Sequence, residues 1–426
     1  MVHPARPESV RTNDAAGCAD ATARTGEADT ADTASRTAPA PAPAAVPATA
    51  TVPARVTRRL GRRPALDGMR GLAVLLVIGD HAHIPLGDLW IGVELFFVLS
   101  GFLITSLLLE ELDRTGRISV RRFYTKRARR ILPALGLLTV AVAIVSLGAH
   151  QLQDRWPLWA QIITTWTFSA NVIAWLAGAP LGAFTSTWSL SCEEQFYLLW
   201  PPALAALHRA GWRAPRILGA LAAAAIALAA GAWLATARVT SAAPYYSPLG
   251  RGAELLIGCA LAVAWRGGLI PRFLTAHVAG PAALAGCGGL VALGTTNVAL
   301  SDEIIYISAA LFAAVLLLGL LDHEASALHR CFAWRPLRYI GRISYGLYLY
   351  NDAASRLLHH NLPDWQWWEI APLLLAASLA AAAVSYHIIE SRFLLTGRGT
   401  TTSSGTRPPR PRTPGRTGAE SCERSP

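Results

Sequence analysis

The sequence predicts an all-α, polytopic membrane helix bundle of about ten transmembrane helices with one extra re-entrant or interfacial segment, and three observations predict it. The first is polarity: 53% of the 426 residues are hydrophobic and 15% are charged, against about 25% charged in an ordinary soluble domain. The second is length. Crossing a ~30 Å hydrocarbon core takes roughly 20 helical residues, and apolar stretches of that length recur from Gly71 to Ile389. The third is that Lys and Arg gather in the connections between those stretches, as topology signals do. Lipid offers the backbone no hydrogen-bond partner, so the stretches must be helices or a closed barrel. Their Ala/Leu-rich runs lack the two-residue alternation of barrel strands.

Residues 1–57 are polar and rich in Ala, Thr and Pro, and are expected to be a disordered cytoplasmic tail with no hydrophobic signal peptide. Spans are expected to begin near Gly71, Trp90, Ile131, Trp188, Ile217, Ala253, His277, Glu303, Tyr339 and Trp367. Basic groups stand before the first span (Arg58, Arg59, Arg62, Arg63) and between the second and third (Arg114 to Arg130). They recur in the connections 208–216, 265–272 and 329–338, and in the C-terminal tail. All of these stay on the cytoplasmic side only if the further apolar stretch from Trp156 to Ala177 does not cross. That stretch, with Thr164, Thr165, Thr167, Ser169 and Asn171, is therefore read as a re-entrant or interfacial element forming a cavity wall. The transmembrane domain is expected over 58–394 and a disordered basic tail over 395–426, with both termini cytoplasmic in the plasma membrane. The formal charge of +11 is absorbed by these topology signals, so nucleic acid is not an expected partner. The six cysteines show no CxxC pairing, so neither a metal site nor a disulfide framework is expected.

Ionisable side chains inside a membrane are costly and mark functional sites by default. Arg70 and His81 stand on the first span, about 16 Å apart along a helix. Histidine can take up and release a proton near neutral pH, so His81 is the candidate general base, and His83 is its competitor on another face. In RRFYTKRARR (Arg121 to Arg130), Arg127 and Arg130 share a helix face, where guanidinium forks can hold the phosphates of an acyl donor. Anionic headgroup binding is the simpler role for the same cluster. Glu193 and Glu194 point about 100° apart on one span, so that one can orient His81 or accept a hydroxyl proton. Arg251 and Glu254 have the spacing of an intrahelical ion pair.

Several ordered blocks carry a resemblance: LDGMRGLAVLLVIGDHA (Leu66 to Ala82), GVELFFVLSGFLITSLLL (Gly92 to Leu109), RRFYTKRARRILPAL (Arg121 to Leu135), TWSLSCEEQFYLLWP (Thr187 to Pro201), RGAELLIGCALA (Arg251 to Ala262) and YIGRISYGLYLY (Tyr339 to Tyr350). Together they resemble the membrane-bound acyltransferase 3 family, which O-acylates cell-surface sugars and some secondary metabolites. The resemblance implies that His81 is the essential histidine, and that Arg70 with Arg127 and Arg130 match the family's arginine motifs. Arg251, Glu254, Ser344 and Tyr348 are possible supporting residues. The resemblance also implies an acyl-coenzyme A co-substrate from the cytosol, with no permanently bound cofactor and no metal. The chain departs from the family at Asn351, Asp352 and Ala353, where many members continue with His-Trp-Pro, and at Cys192, where valine is usual.

The expected function is an integral membrane O-acyltransferase moving an acyl group, acetyl first among them, to a hydroxyl of a surface carbohydrate or secondary metabolite. In this expectation the donor's phosphates sit on Arg70, Arg127 and Arg130, and its thioester reaches up a channel shared with His81. Glu193 or Glu194 then stabilises the imidazolium. The alternative is a transporter or flippase of a glycolipid or drug-like molecule, using the same charges as a translocation path. Acceptor identity, acyl length, direct transfer against an acyl-enzyme, and oligomeric state are not legible in the sequence.

Overall fold

A computed structural model of the chain describes residues 58–148, 152, 156–178, 181–238, 243–295, 301–322 and 326–390. The tails expected at 1–57 and 395–426 lie outside the described residues. The described chain is helical, and no strand occurs in it. It begins with α1 (Pro64–His81), α2 (Ile91–Thr115) and α3 (Val120–Gly148), followed by short α4 (Leu158–Trp166) and α5 (Ala170–Ala177). The long helices α6 (Thr187–Arg209), α7 (Ala214–Arg238), α8 (Pro248–Arg266), α9 (Arg272–Thr295) and α10 (Asp302–Asp322) come next. Short α11 (Ala327–Phe332) and α12 (Arg335–Arg342) lead into α13 (Ser344–Asn361) and α14 (Trp367–Val384), which a π-helical turn, Ser385–Glu390, extends.

Among the described residues six helices are long and apolar enough to cross a membrane: α2, α3, α7, α8, α10 and α14 with its extension. The chain is a multi-span membrane protein. Three further helices of crossing length carry ionisable pairs: Arg70 and Asp80 in α1, Glu193 and Glu194 in α6, Asp352 and Arg356 in α13. In α9 the apolar part is the shorter Gly280–Thr295. The expected ten crossings therefore require these four polar or partly polar helices to cross as well. The helix starts follow the expected spans, with one large difference at α3, which begins at Val120 instead of near Ile131. The basic stretch Arg121 to Arg130 is thus the first turns of the same helix, continuous through Pro133.

Between Trp156 and Ala177 the chain forms α4 and α5, of 9 and 8 residues, each too short to cross. Phe168, with φ at 50°, reverses the chain between them. Gln195 of α6 holds that reversal by donating to the Phe168 carbonyl (2.7 Å) and to Asn171 Oδ1 (2.9 Å). These residues line neither cavity described below: Thr165 and Asn171 bond α6, while Thr164, Thr167 and Ser169 bond groups within the segment itself. Thr165, for example, bonds Thr187 at 3.2 Å.

One close helix pairing that positions the site is α2 on α8. A Cβ on Gly101 would run into the Leu255 backbone, and one on Gly258 would run into that of Val98, so both helices are cut back where they meet. Without a hydrophobic force between helices in lipid, such small-residue contacts supply much of the association. Gly258→Leu should therefore cost about 1–3 kcal/mol through overpacking. A fall in the unfolding temperature of the purified protein in detergent checks this, and an unchanged temperature counts against the tight α2–α8 contact.

Candidate active site

Among the described residues α1 runs beside two cavities. The first, of about 300 Å³, is lined by Arg70 of α1, Arg127 and Arg130 of α3, Glu193 and Tyr197 of α6, and Ser344 and Tyr348 of α13, among mostly apolar side chains of α2. The helix spacing that put Arg127 and Arg130 on one face is thus used to turn both toward the same space. Arg127 donates to Glu194 at 2.7 Å, stands 4.0 Å from Glu193 and lies over the Tyr197 ring at 3.7 Å. Glu193 also accepts from the Ser100 hydroxyl at 2.6 Å. Arg70 donates to the Ser344 hydroxyl at 3.2 Å. Three guanidinium groups meet two carboxylates here, so the cavity carries an excess of positive charge in an apolar wall. Such a wall favours an anion, because low dielectric strengthens each charge–charge interaction.

The second cavity, of about 220 Å³, is lined by Asp80 and His81 from the end of α1, Thr185, Ser186, Trp188, Trp90, and the aromatic pair Tyr245 and Tyr246 in the connection before α8. Burial holds both of these phenols above their ordinary pKa, so they remain protonated donors. The His81 ring is bonded through Nδ1 to Asn351 Oδ1 of α13, and its backbone carbonyl accepts from Ser355 Oγ at 2.7 Å. His83 turns away in the left-handed region (φ 54°) and packs edge-on against His359, with ring centroids 4.9 Å apart.

The two cavities share the side chains of Val93 and Tyr348 in their walls. The Tyr348 hydroxyl is bonded to Ser189 Oγ at 2.6 Å, and its ring meets Phe96 edge-on at 5.7 Å. Two expectations change accordingly. His81 does not share one hollow with the arginines; Tyr348 and Val93 stand between its cavity and theirs. Nor do Glu193 and Glu194 partner His81. They are gathered around Arg127, and the imidazole's partner is a neutral carboxamide.

Arg251 and Glu254 pair at 2.7 Å as their spacing implied, but the pair is part of a larger cluster. Glu94 of α2 reaches the same Arg251 Nη1 at 2.5 Å, and all three side chains are about fully buried. Arg251 Nε donates to the Tyr245 carbonyl at 2.9 Å, and its guanidinium lies over the rings of Tyr306 (4.2 Å) and Tyr245 (4.9 Å). The cluster thus stands behind the histidine cavity and fixes its aromatic wall. Sequence reasoning missed both Glu94 and the contact of Asn351 with His81. A lone carboxylate inside the apolar run GVELFFVLSGF was the available signal for the first. Among the described residues no group of three or more His, Cys, Asp or Glu side chains could hold a metal ion. Arg251→Leu leaves two buried carboxylates on no cation, and should cost about 3–5 kcal/mol. Thermal unfolding in detergent checks this; a loss below about 1 kcal/mol, the worth of an exposed pair, would contradict the buried cluster.

A family model described as an acyltransferase domain matches residues 63–387. The chain is 31% identical over 362 residues to peptidoglycan O-acetyltransferase OatA of Listeria monocytogenes, covering 79% of this chain and 56% of that protein. It is 31% identical to the putative peptidoglycan O-acetyltransferase YrhL of Bacillus subtilis, covering 77% of this chain and 54% of that one. It is 28% identical to O-acetyltransferase OatA of Staphylococcus aureus, covering 77% and 56%. The chain spans about half the length of the curated relatives it matches. No solved structure matches it.

Proposed function

The chain belongs to the acyltransferase 3 family, and on that premise we propose that it moves an acyl group, acetyl by analogy with the relatives' names, from cytosolic acyl-coenzyme A to a hydroxyl on a carbohydrate or secondary metabolite beyond the membrane. The observation that carries this reading is the placement of α1: Arg70 lines the cationic cavity and His81 lines the aromatic one, with a single side-chain layer between. Donor and acceptor thereby have separate chambers of fitting chemistry on one rigid helix.

In this reading Arg70 and Arg130 hold the donor's phosphates at the cytoplasmic mouth, since guanidinium forks match phosphate oxygens. Arg127 is already engaged by Glu194 and shapes the cavity from that position. The apolar remainder, including Leu103, Ile104 and Ile131, takes the pantetheine arm and acyl group. The acceptor enters among Trp188, Tyr245 and Tyr246, whose rings suit the apolar faces of a sugar. His81 removes the proton from the acceptor hydroxyl as that oxygen bonds to the thioester carbonyl carbon. The carbon–sulfur bond then breaks, and the coenzyme A thiolate leaves and takes up a proton. Direct transfer needs fewer steps than an acyl-histidine, which a labelled intermediate trapped without acceptor would reveal. Residues 58–394 form the transferring unit in a plasma-membrane protein with both termini in the cytoplasm, and the peptidoglycan named for the relatives is the first acceptor to try.

Proteoliposomes holding the purified protein, given labelled acetyl-coenzyme A and peptidoglycan fragments, test this. His81→Ala should lower acetyl transfer by about 10²–10⁴-fold, the usual contribution of a general base. Loss of flux of an unmodified substrate instead, with no acyl mass increment in the wild type, would establish the transporter. Arg130→Lys should raise the KM for the donor at least about tenfold while kcat holds, because the charge-assisted fork is worth roughly 1.5–3 kcal/mol. An unchanged donor KM would remove Arg130 from the phosphate site.

A further inference from the structure

The geometry points to Asn351 as the positioning residue that sets the tautomer and the orientation of His81; this rests on the reading of His81 as the base. The carboxamide is fixed by its own surroundings. Its Nδ2 donates to the Tyr348 carbonyl at 2.7 Å and to the Leu347 carbonyl at 3.1 Å, both within α13. Carbonyls only accept, so the nitrogen end of the amide must face them and the oxygen end must face the imidazole. Oδ1 in turn can only accept, so the His81 nitrogen bonded to it, Nδ1, carries the hydrogen. The basic lone pair is left on Nε2, the nitrogen not committed to α13.

Three properties follow for the site. His81 is tied to α13 at two points, its ring by Asn351 and its backbone carbonyl by Ser355. Asn351 is completely buried, so water does not compete for its oxygen. The orienting group is neutral, where a carboxylate in that place would favour the imidazolium. A neutral acceptor fixes the tautomer without placing a second charge against the ring. Asn351 Nδ2 also bonds the backbone of Tyr348, so the residue that orients the base braces the residue dividing the two cavities.

The test uses the full chain in proteoliposomes, with wild type, Asn351→Leu, Asn351→Asp and His81→Ala compared. Asn351→Leu keeps the volume but offers no acceptor, and kcat should fall by about 10–100-fold, the range for groups that orient a working histidine. Its KM for acetyl-coenzyme A should stay within about twofold, since no donor contact is touched. Solid-state NMR of ¹⁵N-histidine-labelled protein, with His81 assigned by difference from His81→Ala, should show Nδ1 protonated in wild type and in Asn351→Asp. It should show the tautomers mixed in Asn351→Leu. Wild-type kcat in Asn351→Leu, or an unprotonated Nδ1 in the wild type, overturns the proposal. If Asn351→Leu fails to fold, Asn351→Asp decides, because it retains the acceptor oxygen and must keep Nδ1 protonated. Should His81→Ala remain active, the general-base reading falls by itself, and the NMR still tests the tautomer separately.

Discussion

A guanidinium inside a hydrocarbon slab must be answered, and the bundle is organised around how its arginines are answered. Arg251 is fully enclosed, so two carboxylates on two helices close on it, a carbonyl accepts from it and aromatic faces surround it. Glu94 can reach it only because α2 and α8 are cut back to glycine where they meet. Arg70 and Arg127 are answered more loosely, by a hydroxyl and by a carboxylate pair beside an open cavity. The first arrangement makes a wall, and the second leaves charge to offer. One element of cost, the desolvation of a cation, thus yields both the rigid back of one chamber and the binding capacity of the other.

The two chambers also explain why α1, although less apolar than its neighbours, holds the central place. Under the proposed reading, a donor carrying several negative charges and a neutral, ring-shaped acceptor want opposite surroundings. Separating them by Val93 and the bonded pair of Tyr348 and Ser189 allows each side to be built for its own guest. The imidazole stands at the far end of the same helix that carries Arg70, so distance between binding and chemistry is set by helical rise and by nothing softer.

Much of the fold was legible because membrane helices announce themselves by length and by the charge of their connections. The α4–α5 segment was recognised as non-crossing from the bookkeeping of basic loops alone, and its short helices agree. Arg127 and Arg130 were placed together by helix spacing, and the Arg251 and Glu254 pair by the same rule. What escaped were partners distant in sequence. Glu94 meets Arg251 across 157 residues and Asn351 meets His81 across 270, and no local period encodes either meeting. Glu193 and Glu194 looked like partners for the histidine because opposite charge was the only pairing rule available, yet Arg127 claimed them. The division into two cavities depends on the packing of single side chains and has no counterpart in hydropathy.

The ties between α1 and α13 have a bearing on how the protein comes into being. Arg70 to Ser344, His81 to Asn351 and the His81 carbonyl to Ser355 each join positions 270 or more residues apart. During vectorial synthesis the opening helix enters the bilayer long before its companion is made, with two ionisable side chains still lacking their final bonds. It must be sheltered in the interval by neighbours made early, α2 first, or by the insertion machinery. The α1–α13 part of the site is therefore completed late, and a product cut short before α13 would hold most of the bundle, the Arg127–Glu194 pair included, without the bonds that orient His81.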